Sequence, residues 1–250
     1  MAPQAGSDWA RVQHPGKHFR AFLEGPSFDR DGNLFCVDIS HGRILKCDPQ
    51  GNISVAVQYD GEPNGLKIHK DGRIFIADHA HGLMVLDPVS GKIEPFLTRP
   101  GLERFHGLND LHFAANGDLY FTDQGQSGLH SAHGRLFRLT QGGDLDCLID
   151  NIPSPNGLVL NTDEDQLYLA VTRMNAVWRV RFLPGGRTVA KTGTFIQLSG
   201  ATFPRRHSVP DRHCFPKAGS GRRFWILQRA RLSRPSPRQA RAGQAGCSRR

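Results

Sequence analysis

The chain has 250 residues, and much of what it lacks is informative. No run of residues approaches the roughly 20 consecutive apolar positions of a membrane-spanning helix. The segment from Met1 to Pro15 is polar and has no apolar centre of the kind a secretory leader requires. Membrane and exported classes are therefore not expected. Cysteines are few and odd in number, five in all, at Cys36, Cys47, Cys147, Cys214 and Cys247. They do not make a disulfide framework, and they favour a reducing, cytoplasmic setting. No C-x-x-C or zinc-type Cys/His spacing occurs. H-E-x-x-H, G-x-G-x-x-G and G-x-x-x-x-G-K-[ST] are absent, and Gly125-Gln126-Ser127-Gly128 is not a G-x-S-x-G elbow. Helical periodicity is nowhere sustained. What is plentiful is glycine, 28 residues, about 11% against a usual ~7%. Such punctuation suits a turn-rich β architecture.

The formal net charge of +9 suggests an anionic partner, but its distribution removes most of that suggestion. Residues 201–250 hold thirteen of the basic residues and one acid, Asp211, leaving 19 basic and 22 acidic residues in 1–200. The body is slightly acidic and only the tail is basic. Phosphate binding by the tail would lack interleaved aromatics apart from Phe224-Trp225, and no recognition fold accompanies it. No nucleic-acid partner is expected.

Four segments repeat in order. Glu24-Gly25-Pro26 precedes Asp31-Gly32-Asn33-Leu34-Phe35-Cys36-Val37-Asp38. Pro63-Asn64-Gly65-Leu66 precedes Asp71-Gly72-Arg73-Ile74-Phe75-Ile76-Ala77-Asp78. Leu108-Asn109-Asp110-Leu111 precedes Asn116-Gly117-Asp118-Leu119-Tyr120-Phe121-Thr122-Asp123. Pro155-Asn156-Gly157-Leu158 precedes Gln166-Leu167-Tyr168-Leu169-Ala170. The successive intervals from Glu24 to Asn64, from Asn64 to Asn109 and from Asn109 to Asn156 are 40, 45 and 47 residues. Short apolar runs separated by Asp-Gly turns read as hairpins, and about four strands per unit at this period predict a β-propeller. Its blades surround a channel, and the residue just before each inner strand recurs at one mouth. Here those residues are Glu24, Asn64, Asn109 and Asn156, all oxygen donors. Convergent oxygens are what a hard cation such as Ca²⁺ or Mg²⁺ requires.

These motifs resemble the SMP-30/gluconolactonase/LRE-like family over roughly residues 20–200. The resemblance implies an all-β, six-bladed propeller, with about four blades recognisable here and an incomplete ring. It also implies a metal-dependent hydrolase of sugar lactones, a carboxylic ester hydrolase acting on a small-molecule lactone. One divalent cation is expected in the channel, Ca most readily, with Zn, Mg or Mn as alternatives. By motif, Glu24 and Asn156 correspond to metal ligands, with Asn109 lining the same mouth, on metal or substrate. Asn64 occupies an equivalent position without a clear role, and its Asn-Gly pair equally suits a turn. His106, three residues before Asn109, is a candidate substrate-side shuttle.

The sequence also departs from that family. A Gly-Pro-Asp-Gly segment should follow the fourth motif, its Asp serving as metal ligand and proton acceptor. The only candidate is Asp211, in Pro210-Asp211, without the flanking glycines. We therefore divide the chain into an N-terminal segment 1–20, propeller blades 21–200 and a basic Arg/Pro-rich tail 201–250. The tail reads as disordered, or as the product of a shifted frame or retained intron. Weak metal binding, reduced activity and self-association through open blade edges are the expected consequences. The alternative reading is a non-catalytic propeller fragment that binds a small molecule or a protein at the channel mouth. Two further features are read as structural. His79-Ala80-His81 belongs to a loop. Asp38, Asp78 and Asp123, at the ends of equivalent strands, brace adjacent blades.

Overall fold

Short β-branched and aromatic runs separated by turn residues become strands of five to nine residues. The turns are built by side chains. Asp29 Oδ1 accepts the backbone N–H of Asp31 (3.0 Å) and Asn33 (2.8 Å), and Asp48 Oδ1 does the same for Gln50 and Asn52. Each carboxylate thus closes a tight hairpin whose glycine, Gly32 or Gly51, takes a positive φ. A computed structural model of the chain describes residues 21–186 and 188–198.

The strands form four antiparallel meanders of four strands each. The first comprises β1 (Leu23–Phe28), β2 (Leu34–Asp38), β3 (Arg43–Cys47) and β4 (Ile53–Gln58). The second holds β5 (Pro63–Ile68), β6 (Ile74–Asp78), β7 (Gly82–Leu86) and β8 (Ile93–Leu97). The third holds β9 (Leu108–Phe113), β10 (Leu119–Asp123), β11 (Gly134–Leu139) and β12 (Leu145–Ile152). The fourth holds β13 (Pro155–Leu160), β14 (Gln166–Val171), β15 (Ala176–Phe182) and β16 (Val189–Gln197). They are arranged as blades of a β-propeller, with β1, β5, β9 and β13 as neighbouring inner strands. Among the described residues the only helical pieces are two 3₁₀ turns, and none is long and apolar enough to cross a membrane.

The core lies between blades, and strand alternation explains how. In β6, Ile74 and Ile76 face the first blade, packing with Phe35, Val37 and Ile44. The intervening Phe75 and Ala77 face the third blade, with Leu111, Phe121 and Phe137. A third layer joins Tyr120 and Leu136 to Leu158, Leu167, Leu169 and Val180. Middle blades are thus buried on both faces, which is why β6 and β10 are buried along their whole length.

Buried carboxylates tie the strands together. Asp38, Asp78 and Asp123 are each fully buried. Asp38 accepts Phe22 N–H (2.9 Å), Ser40 Oγ (2.7 Å) and Arg43 Nε (2.8 Å). Asp78 accepts Glu62 N–H (2.9 Å) and Tyr59 Oη (2.7 Å), and Asp123 accepts Gly107 N–H (2.8 Å) and Arg135 Nη2 (2.6 Å). The expectation that these aspartates brace neighbouring blades needs correction. Their shared contact is the N–H just ahead of their own blade's inner strand, and only Tyr59 arrives from the preceding blade. Val171 occupies the equivalent position in the fourth blade, opposite Pro155, so that blade is closed differently.

Burial alone would raise the Asp38 carboxyl, but the bonds from Phe22, Ser40 and Arg43 outweigh it and hold it below 3.8. Asp118 follows the same balance, burial opposed by Arg138, Gln141 and Asn116, and also lies below 3.8. With folded values depressed, this stabilisation is present above pH 3.8 and is lost as pH falls through the lower folded values. Thermal melts by circular dichroism should show a melting temperature that declines once pH drops below that value. A melting temperature unchanged down to pH 2 would contradict the assignment.

Candidate functional site

Every inner strand carries an irregularity near its start. Pairing skips from Pro63 to Gly65 in β5, from Leu108 to Leu111 in β9 and from Pro155 to Leu158 in β13. In β1 it skips from Glu24 to Ser27. A β-bulge re-aims the side chains around it. The four oxygen donors occupy this region in each blade. Asn64, Asn109 and Asn156 lie within the bulges and Glu24 immediately precedes one. Each is the second residue of its inner strand, one step inside the element rather than ahead of it as the sequence suggested.

Adjacent inner strands approach one another closely beside these positions. A Cβ added to Gly25 would lie 2.7 Å from Leu66 N, and one added to Gly65 would lie 2.6 Å from Asn109 O. Thr122 couples the third and fourth blades: its Oγ1 accepts Asp110 N–H (3.1 Å) and donates to Asn156 O (2.9 Å). Asn156 turns its own Oδ1 onto Gly157 N–H (2.9 Å). Asn109 is 6% exposed and donates through Nδ2 to Gln124 Oε1 (2.8 Å). Gln124 in turn donates through Nε2 to Ser154 Oγ (2.7 Å).

Asp110 emerges more prominently than its sequence context indicated. Its Oδ1 accepts Leu111 N–H (2.9 Å) and sits 3.7 Å from Lys67 Nζ. A Cβ on Gly65 would meet Oδ1 at 2.7 Å, and one on Gly157 would meet Oδ2 at 3.4 Å. This carboxylate therefore lies between the inner strands of the second and fourth blades. Burial, with Lys67 adding to it, lowers the nearby His112 imidazole to about 4, so His112 is neutral at physiological pH.

The remaining candidates separate. His106 is exposed in the segment ahead of β9, where its ring meets His133 at 5.3 Å and its Nδ1 lies 3.2 Å from His133 O. It makes no hydrogen bond to Asn109 among the described residues. His79 and His81 are loop residues, and His81 Nε2 lies 2.6 Å from Asp60 O. Asp211 lies outside the described residues, as does the rest of 201–250. Gln124, Ser154 and Thr122 were missed. The one available signal was a break in the repeat: Gln124 follows Asp123, where Ile39 and His79 follow the equivalent aspartates.

Two candidate nucleophiles among the described residues do not suit covalent catalysis. Ser40, His41 and Asp38 hold the three groups of a serine triad, but the Ser40 hydroxyl is spent on Asp38 and the residue is 1% exposed. Burial, with Asp38 and Cys47 close by, pushes the Cys36 thiol up to about 11, far from a nucleophilic thiolate. The donor set at the bulges is one carboxylate and three amides. Among the described residues no three of His, Cys, Asp and Glu gather as a metal group. All-oxygen donors of this kind fit a hard dication rather than zinc.

The sequence profile described as the SMP-30/Gluconolactonase/LRE-like region matches residues 22–219. Among curated proteins, lactonase drp35 of Staphylococcus aureus is 29% identical over 219 residues, covering 84% of this chain and 64% of the relative. The chain thus spans under two thirds of that relative's length. Among solved structures, a gluconolactonase from Xanthomonas campestris superposes with a TM-score of 0.63 at 22% identity, covering 70% of this chain and 62% of the other. Regucalcin from Agrobacterium tumefaciens, described as a calcium-binding protein, gives 0.57 at 20% identity, covering 71% and 60%. These superpositions bear on the fold alone.

Proposed function

We propose that this chain, which belongs to the SMP-30/gluconolactonase/LRE-like family, is a lactonase-type hydrolase that uses one divalent cation to open small-molecule lactones. The observation that carries the reading is the recurrence of an oxygen donor beside the bulge of four neighbouring inner strands. The lactonase relative supports the reaction class.

In this reading Glu24, Asn109 and Asn156 hold the cation. Calcium is favoured by the all-oxygen donor set and by the fold shared with the calcium-binding regucalcin. When bound, it supplies Lewis-acid polarisation of the ester carbonyl and acidification of water. Glu24 contributes the single formal negative charge at the four bulge positions. Asn109 and Asn156 contribute neutral oxygens that orient without adding charge. Asp110, fixed by Leu111 N–H and facing Lys67, orients hydroxyl groups of a bound sugar lactone. The proton-accepting carboxylate is assigned to Asp211. His106 and His133 meet substrate on entry. The free thiols at Cys36, Cys47 and Cys147 accord with a reducing, cytoplasmic setting.

The test is hydrolysis of D-glucono-1,5-lactone by the full chain, followed with a pH indicator, together with calcium titration calorimetry. Turnover should be lost on chelation and restored by calcium, with a dissociation constant of about 10⁻⁴–10⁻³ M, as expected for a low ligand charge. Turnover indifferent to chelator would overturn the reading. The competing reading, a non-catalytic propeller, is favoured only by the absence of a second acidic ligand among the described bulge positions. It predicts neither calcium binding nor turnover.

A further inference from the structure

We propose that Gln124 is a positioning residue that decides which end of the Asn109 amide is offered to a cation; the inference rests on the functional reading above. The argument follows hydrogens along one chain of polar groups. Thr172 Oγ1 donates to the carbonyl oxygen of Ser154 (3.1 Å), an atom that can only accept. The Thr172 hydrogen is thereby spent, so at the contact between the two hydroxyls (2.8 Å) it is Ser154 that donates. Ser154 Oγ then has only lone pairs to offer Gln124 and must receive Nε2–H (2.7 Å). Gln124 is left with Oε1 facing Asn109, and Asn109 must present Nδ2 to it (2.8 Å). The Asn109 Oδ1 consequently remains as the free acceptor, with no hydrogen bond among the described residues.

Further hydrogen bonds hold the frame around these groups. Gln124 N–H donates to Gly107 O (2.9 Å), and Gln124 O accepts from Ser127 Oγ (2.6 Å). Ser127 Oγ also accepts Ser154 N–H (2.9 Å). Ser154, 3% exposed, sits at φ 64°, a left-handed conformation that a non-glycine residue adopts only when its surroundings enforce it. It lies two residues before Asn156, so one network ties the entry of the fourth inner strand to the orientation of Asn109 in the third. A hard cation binds an amide through oxygen and is repelled by its NH₂ end. The direction of a hydrogen bond remote from the ion thus determines whether Asn109 is a ligand. Partners of this kind orient first ligands in metal sites generally, and their loss costs roughly 10–100-fold in affinity.

Two substitutions separate orientation from mere packing. Gln124→Met keeps the length but can neither accept from Asn109 nor donate to Ser154. Gln124→Glu can only accept, and so still compels Asn109 to present Nδ2. Calcium affinity by calorimetry should fall about 10–100-fold in the Met variant and stay within about threefold of the parent, or tighten, in the Glu variant. A readout without metal accompanies it: the Asn109 side-chain NH₂ signals in ¹⁵N–¹H spectra. Their exchange should be slow in the parent and the Glu variant and at least about tenfold faster in the Met variant. If the Met variant does not fold, Thr172→Val replaces it, with losses in the same direction. Unchanged affinity and exchange in the Met variant, or equal losses in both variants, would overturn the proposal. If the parent binds no calcium, the functional reading fails instead, and the Asn109 exchange measurement alone decides the role of Gln124.

Discussion

Replacing Gly65 with alanine is expected to destabilise the propeller by about 3 kcal/mol or more, the upper range for overpacking a filled site. The added Cβ would stand 2.6 Å from Asn109 O, 2.7 Å from Asp110 Oδ1 and 2.9 Å from Asp110 Cα. Two of these three atoms belong to the β9 backbone or its Cα, which cannot swing aside as a flexible side chain can. Relief requires β5 and β9 to separate, and that movement also displaces Asn109 and Asp110. Two other glycines calibrate the effect. Gly72 has open space around its would-be Cβ but a φ of +93°, so alanine there should cost about 1 kcal/mol through backbone strain. Gly193 has open space and no such φ, so alanine should be neutral or slightly stabilising. Urea denaturation should therefore rank the variants Gly65 worst, then Gly72, then Gly193. A Gly65→Ala variant within 0.5 kcal/mol of the parent, the range of ordinary surface changes, would show that the inner strands are not packed as described.

This close packing explains why some of the site was legible in the sequence and some was not. Pro63-Asn64-Gly65-Leu66 and Pro155-Asn156-Gly157-Leu158 announce themselves because a bulge needs a local signature, and local signatures repeat at blade spacing. The uninterrupted apolar run Ile74-Phe75-Ile76-Ala77 suits a strand buried along its whole length, whereas the four-blade reading followed from the repetition of such units every 40–47 residues. Asp110 was harder to judge. In the third blade it stands where the other blades have glycine, and only the approach of Gly65 and Gly157 from two neighbouring blades places its carboxylate between their inner strands. Gln124 and Ser154 were invisible for a related reason. They lie 30 residues apart and meet only because adjacent blades meet, so no periodicity encodes the contact. The bracing aspartates show the opposite error. Their repetition was visible, but whether each reached its own blade or the next depended on a single backbone N–H. The positions expected just ahead of the inner strands are instead their second residues, because a bulge absorbs an extra residue without breaking the strand.

Glu24→Gln should have the largest functional effect of any single substitution, lowering kcat/KM for lactone hydrolysis by about 10³-fold, since the polarising role at stake amounts to several kcal/mol and each 1.36 kcal/mol is tenfold. The change is isosteric, so packing at the start of β1 is conserved while the only carboxylate among the four equivalent positions becomes an amide. The three residues proposed to hold the cation would then offer only neutral oxygens, and ligand charge count governs calcium affinity over decades. Asn64→Ala is the informative contrast. It occupies the equivalent position in the second blade but removes no charge, and its effect should stay within a few-fold. A second readout does not need turnover. A ligand that binds only the folded state stabilises it by RT ln(1 + [L]/Kd), about 2.7 kcal/mol at 100 Kd. Calcium should therefore raise the melting temperature of the parent and of Asn64→Ala, and leave that of Glu24→Gln unmoved at the same concentration. Equal calcium shifts in the parent and Glu24→Gln would place the cation elsewhere, or nowhere, and the recurrence of oxygen donors beside the inner-strand bulges would then be a feature of packing alone.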